Sequence, residues 1–108
     1  SQGGCMVTSL RRLRPQRFAG GVTCSGFGPR GRFGGDAELS AARPPMFWGR
    51  DDADPVIGPA RIAALAEWAP RHTALEAHRY PGIAHSISRE ELADIAAFLS
   101  RHVPEAAR

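Results

Sequence analysis

Two kinds of apolar pattern alternate along this chain, and the alternation predicts its elements. Residues 2–13 read as a helix, because Met6, Leu10 and Leu13 recur at near-helical spacing with Val7 beside them; Pro15 then stops the run. Residues 18–25, FAGGVTCS, form a short apolar run that reads as a buried strand. Residues 26–43, rich in Gly, Pro and Arg, read as a loop. A second apolar run, PMFWG at 45–49, reads as a strand and leads into the acidic turn DDADP. Pro59 suits the first position of a helix; Ile62, Leu65, Ala66 and Ala69 then share one face, and Pro70 closes it. Residues 74–80, ALEAHRY, read as a third strand, with PGIAH as the loop after it. Ser88 and Glu91 make an S-x-x-E capping box. Leu92, Ile95, Ala96 and Leu99 follow at i, i+3, i+4 and i+7.

Apolar strands alternating with amphipathic helices imply an α/β fold with about three parallel strands and flanking helices. A parallel sheet binds ligands beyond the carboxyl ends of its strands. Asp54 and His85 both lie in loops just after predicted strands, so both belong on that edge.

Composition adds limits more than detail. Hydrophobic residues make up 43%, a globular and not a disordered balance. No apolar run is long enough to span a membrane. The start, SQGGCMVTSL, lacks the basic-then-apolar order of a signal peptide, and it does not begin with Met. All 14 basic residues are Arg and the net charge is only +3. Arg and acid are interspersed after residue 36, which gives no case for nucleic acid there. Cys5 and Cys24 are too few for a disulfide framework and read as free thiols, as suits a cytoplasmic protein. His72, His78 and His102 read as solvated, and no His or Cys spacing suits a metal.

A serine hydroxyl is a weak nucleophile at neutral pH. It needs a base for its proton, and the base needs a partner that fixes its tautomer. His85 suits the base and Asp54 the partner. Ser1 opens the first predicted helix and is followed by Gln2, Gly3 and Gly4, small enough for a sharp turn and close packing. A helix N-terminus also offers free backbone N–H groups to a developing oxyanion.

SQGG at 1–4 resembles the G-x-S-x-G nucleophile elbow entered at its serine. With DPVI at 54–57, PGIAHSIS at 81–88 and ELADIAAFL at 91–99, the chain resembles the phospholipase/carboxylesterase group, which includes acyl-protein thioesterases. The resemblance implies a partial α/β-hydrolase fold, with residues 1–104 as the C-terminal portion of the domain and 105–108 as a tail. It implies Ser1 as nucleophile, Asp54 as triad acid, His85 as general base and the backbone N–H of Gln2 as one oxyanion donor. The activity implied is hydrolysis of a small-molecule ester or thioester through an acyl-enzyme, without metal or organic cofactor. A W-G-R-D-D stretch favours Asp52 as the acid in many hydrolases, whereas the DPVI context favours Asp54.

The Gly and apolar residue that precede such a serine, the strand that feeds the elbow and the loop with the second oxyanion donor are not in this sequence. The chain is therefore expected to be a piece of a longer protein, unstable and inactive alone. Two rival readings remain open. One is a dienelactone-hydrolase-like enzyme or peptidase of the same fold. The other is a non-catalytic Arg/Gly-rich module binding RNA through GFGPRGRFGG at 26–35.

Overall fold

Three strands, β1 (Gly21–Cys24), β2 (Pro45–Arg50) and β3 (Ala74–Arg79), lie side by side in that order, all parallel. The computed structural model describes residues 1–103, so the expected tail at 105–108 lies outside the described residues. Helices α1 (Gln2–Leu13), α2 (Asp36–Ala42), α3 (Pro59–His72) and α4 (Arg89–His102) flank the sheet. No helix among the described residues is long and apolar enough to cross a membrane.

The two faces of β2 explain the layers. Trp48 aligns with Thr23 of β1 and Ala77 of β3. Met46 and Trp48 point to one side and pack with Ile57, Ile62, Leu65 and Ala69, all but the first from α3. Phe47 points to the other side, edge-on to Phe98 of α4 with ring centroids 5.8 Å apart. Burying an aromatic or aliphatic side chain of this kind contributes about 1.5–3 kcal/mol each. His78, expected to be solvated, is half-buried and stacks between Phe47 and Tyr80.

Several expectations need correction. The strand expected over 18–25 is only four residues long, Gly21–Cys24. Residues 26–43 are not all loop, since Asp36–Ala42 form α2. Its first turn carries Asp36 and Glu38, which favour the positive end of the helix dipole, and Arg43 caps it in a left-handed conformation. Pro70 does not end α3, which runs on to His72. A missing N–H costs little so near the end, where both the N–H and the hydroxyl of Thr73 bond Ala69 O.

The faces of α1 are reversed from what its apolar spacing suggests. Met6, Leu10 and Leu13 are exposed, while Thr8, Arg11 and Arg12 are buried. At about 100° per residue these sets lie on opposite sides of the helix. The side that meets the sheet is the one with Gly4, where a Cβ would stand 2.8 Å from the Gly26 Cα. Only glycine allows that approach.

Arg12 makes burial of a cation possible by spending nearly every donor it has. Its Nε and Nη2 donate to the Asp36 carboxylate at 2.7 and 2.6 Å. Nη1 and Nη2 also donate to the carbonyls of Pro29 and Gly31 at 3.0 and 2.6 Å. The guanidinium stacks on Phe33 and Trp68 at 4.3 and 5.0 Å from the ring centroids. One side chain of α1 thus gathers the Gly-rich segment and the start of α2.

In α4 the buried residues are Glu91 and Phe98, whereas Leu92 of the expected apolar stripe is exposed. The capping box is half formed. Ser88 Oγ accepts the Glu91 N–H at 3.1 Å, but the Glu91 side chain does not reach back. It lies instead over Gly49, where any Cβ would collide with its carboxyl. Neither carboxyl oxygen has a hydrogen-bond partner among the described residues. Burial pushes the Glu91 carboxyl above its ordinary value. Burial, and then the Glu91 carboxyl, push the Cys24 thiol up to about 11. Both cysteines are free, and Cys24 is thereby kept as an unreactive thiol.

This predicts a pH dependence of stability. The folded chain holds the Glu91 proton more tightly than the unfolded chain does. Its contribution is therefore full below the ordinary glutamate pKa and is lost as pH rises through the elevated folded value. Glu91→Gln keeps the side chain neutral throughout. Urea midpoints of the two proteins should be alike near pH 4, with the Gln variant increasingly the more stable toward pH 8. A constant difference across that range would contradict a raised Glu91 pKa.

Candidate active site

The turn after β2 is built by its own aspartates. Asp54 Oδ1 accepts the backbone N–H groups of Val56 and Ile57 at 2.8 and 3.1 Å, an Asx-type turn that Pro55 helps to set. Ile57 is buried in the core and anchors the turn from below. The second carboxylate oxygen is left facing outward, and there it meets His85. His85 Nδ1 lies 2.8 Å from Asp54 Oδ2.

Asp54 has almost no exposed side chain (2%), while 27% of the His85 side chain is exposed. Burial raises the Asp54 carboxyl, but the hydrogen bonds from His85, Ile57 and Val56 outweigh it and hold the group below its ordinary pKa. An ionised Asp54 can only accept, so the neutral imidazole carries its proton on Nδ1. Its lone pair is then on Nε2, the nitrogen away from the carboxylate, ready to take a proton from a hydroxyl.

Asp52 is elsewhere. It is half exposed and pairs with Arg50 at 2.8 Å and Arg79 at 3.1 Å. Of the two candidate acids, Asp54 is the one brought to His85.

Ser1 stands at the N-cap of α1, exposed, with its side chain making no capping bond. Its carbonyl accepts the Cys5 N–H at 3.2 Å, so the N–H groups of Gln2, Gly3 and Gly4 have no partner within the helix. Among the described residues, hydrogen bonds join His85 to Asp54, and none joins His85 to Ser1. The two sides meet through a shared corner at the end of β1. Gly26 packs on Gly4 in the first turn of α1, and the Ser25 hydroxyl donates to the Ser86 carbonyl at 2.8 Å. Ser86 follows His85 directly.

Two further residues at this edge were not singled out by sequence reasoning. Asp51 Oδ2 accepts the N–H groups of Gly82 and Ala84, both at 2.9 Å, and its Oδ1 accepts the Ala53 N–H at 2.9 Å. The N–H groups of Ala53, Ala84 and Gly82 hold the Asp51 carboxyl below its ordinary pKa, against burial and the charge of Asp54. Ser25 is the other. The only signal for Asp51 was the crowding of three carboxylates in one turn, and nothing in the sequence ties Ser25 to residue 86.

Phe27, one residue past Gly26, lines a cleft of about 210 Å³ together with Pro29, Arg30, Ala60, Arg61 and Ala64. The Arg61 guanidinium lies over the Phe27 ring, 4.5 Å from its centroid.

Comparison with known proteins bears on the family and the fold. Residues 1–103 match the Phospholipase/Carboxylesterase family. A probable carboxylesterase of Oryza sativa subsp. japonica is 32% identical over 111 residues, which cover 95% of this chain and 40% of that protein. The carboxylesterase SOBER1 of Arabidopsis thaliana is 32% identical over 106 residues, 95% of this chain and 46% of that one. A crystal structure of Arabidopsis thaliana SOBER1 superposes with a TM-score of 0.74 at 29% identity, over 95% of this chain and 50% of the other. The chain thus spans less than half the length of the curated relatives it matches. On the match of residues 1–103, the parallel sheet and the superposition, the chain belongs to the phospholipase/carboxylesterase family and carries part of the α/β-hydrolase fold.

Proposed function

We propose that these residues form the catalytic portion of a serine carboxylesterase, an ester or thioester hydrolase that works through an acyl-enzyme on Ser1. The observation that carries this reading is the 2.8 Å bond between His85 Nδ1 and Asp54 at the carboxyl edge of a parallel sheet, in a chain of this family.

His85 Nε2 takes the Ser1 hydroxyl proton as Oγ attacks the substrate carbonyl carbon. The carbonyl oxygen becomes an oxyanion at the free N-terminus of α1, where the Gln2 N–H donates to it. Collapse of the tetrahedral intermediate expels the alcohol or thiol, which leaves with the proton from His85. A water then attacks the acyl-enzyme as His85 takes its proton; collapse of the second tetrahedral intermediate returns that proton from His85 to Ser1 Oγ and releases the carboxylic acid. The cleft floored by Phe27, Ala60 and Ala64 suits a small apolar substituent of the ester.

The second oxyanion donor and the strand leading into Ser1 belong, in this reading, to a longer protein, and the 108-residue chain alone is inactive. A free Arg/Gly-rich RNA-binding segment is disfavoured, because Arg12 ties the backbone of residues 29–31 to α1 and Asp36 to the same cation.

A fluorophosphonate probe tests this on the full-length protein. Stoichiometric labelling that is lost in Ser1→Ala, together with p-nitrophenyl butyrate hydrolysis lost in the same variant, is the expected result. Labelling that survives Ser1→Ala would place the nucleophile elsewhere. Ser1-dependent hydrolysis by the purified 108-residue chain would overturn the longer-protein reading.

A further inference from the structure

We propose that Asp51 and Ser25 are positioning residues for His85, acting on the backbone of its loop and not on its ring. The inference rests on reading His85 as the general base, and it deepens that reading by naming what holds the base in place.

The loop from Tyr80 to Ser88 has no regular structure around His85. A hydrogen bond from Nδ1 to Asp54 fixes the ring's tautomer, but a single contact does not stop the loop from swinging about it. Three bonds from two different strand ends supply the rest. The Asp51 carboxylate, just past β2, accepts the N–H groups of Gly82 and Ala84, the latter immediately before His85. The Ser25 hydroxyl, just past β1, donates to the carbonyl of Ser86, immediately after His85. His85 is thus gripped on both sides by its own neighbours. Both gripping residues are nearly fully buried, Asp51 at 7% and Ser25 at 4% exposure.

Backbone strain marks the same points. Ala84 has φ +54° and Ser25 φ +47°, left-handed values that non-glycine residues rarely adopt, and Gly82 has φ +93°. Such a conformation is strained for a non-glycine residue and persists where surrounding contacts over-determine it. The Asp51 bond to the Ala84 N–H and the Ser25 bond to Ser86 are two of those contacts, beside the bond from the Ser86 hydroxyl to the Ile83 carbonyl. Without them Ala84 relaxes toward ordinary backbone, and His85 moves with it. Asp51 keeps its own orientation because its other oxygen is fixed by the Ala53 N–H.

The test uses the full-length protein with Asp51→Ala, Asp51→Asn and Ser25→Ala. Two readouts are taken: the far-downfield proton NMR resonance of the His85–Asp54 hydrogen bond, identified by its loss in Asp54→Asn, and kcat and KM on p-nitrophenyl butyrate. In Asp51→Ala the resonance should vanish or broaden, and kcat should fall about 100-fold with little change in KM, as for a misplaced reacting group. Ser25→Ala should show a smaller loss of both. Asp51→Asn keeps one oxygen able to accept from Gly82 and Ala84 while its NH2 opposes the Ala53 N–H. It should be less stable than wild type, yet recover most of the resonance and of kcat.

Lower stability with resonance and kcat intact in folded Asp51→Ala and Ser25→Ala would overturn the proposal. So would an Asp51→Asn that behaves like Asp51→Ala. If Asp51→Ala does not fold, Ser25→Ala and Asp51→Asn decide by the same criteria. If the wild type shows the resonance but no Ser1-dependent hydrolysis, the esterase reading fails, while the NMR arm still judges the positioning.

Discussion

Asp54→Asn in the full-length protein is expected to lower kcat on p-nitrophenyl butyrate about 10⁴-fold while leaving KM and the fold nearly unchanged. The Asn oxygen would take over the N–H groups of Val56 and Ile57, which now bond Asp54 Oδ1. Its NH2 would then face His85 Nδ1, which can meet it only as an acceptor. The imidazole proton is forced onto Nε2, and the base no longer has a lone pair to offer the serine. Asp52→Asn is the control: its partners are the buried Arg50 and the exposed Arg79, not His85, so kcat should change little. Equal losses in the two variants would mean that the acid has been misassigned.

Arg12→Leu should produce the largest loss of stability, about 3–5 kcal/mol, because it strips one side of a buried ion pair. The variant leaves the Asp36 carboxylate and the carbonyls of Pro29 and Gly31 without their donor. Urea denaturation of the full-length protein gives the stability. Limited proteolysis gives the location, with faster cleavage expected between residues 28 and 35. A further Asp36→Leu change should restore part of the loss, since the carboxylate left with only the Phe33 N–H is the costly remnant. A drop below about 1 kcal/mol, the size of an exposed pair, would show that the clamp is ornamental.

What could be read from the sequence follows from how each helix meets the sheet. The face of α3 was legible because its contact is made by Ile62, Leu65 and Ala69, an apolar stripe at helical spacing. The face of α1 was not, because its contact is made by Gly4, Thr8 and two arginines. A buried guanidinium with its donors satisfied has the same letter as a solvated one. The short α2 offered only Leu39 as a buried apolar residue, too little to show a period. Asp54 and His85 were legible because a parallel sheet gathers the ends of its strands. Asp51 and Ser25 were not: their partners are backbone N–H and C=O groups, which every residue has and no side-chain pattern reveals.

The stacking around Arg12 also has an optical side. Trp68 lies flat on His72, with centroids 4.5 Å apart and planes 6° from parallel, and the Arg12 guanidinium lies within 5.0 Å of its ring. The other indole, Trp48, is sealed inside the sheet. The molecule therefore carries two fluorophores, Trp68 beside the grip of the first helix on its loop and Trp48 in the core cluster against which Trp68 packs. In proteins left with a single indole by Trp→Phe exchange, loosening of that grip changes the emission of Trp68 more than that of Trp48, until the strands themselves come apart.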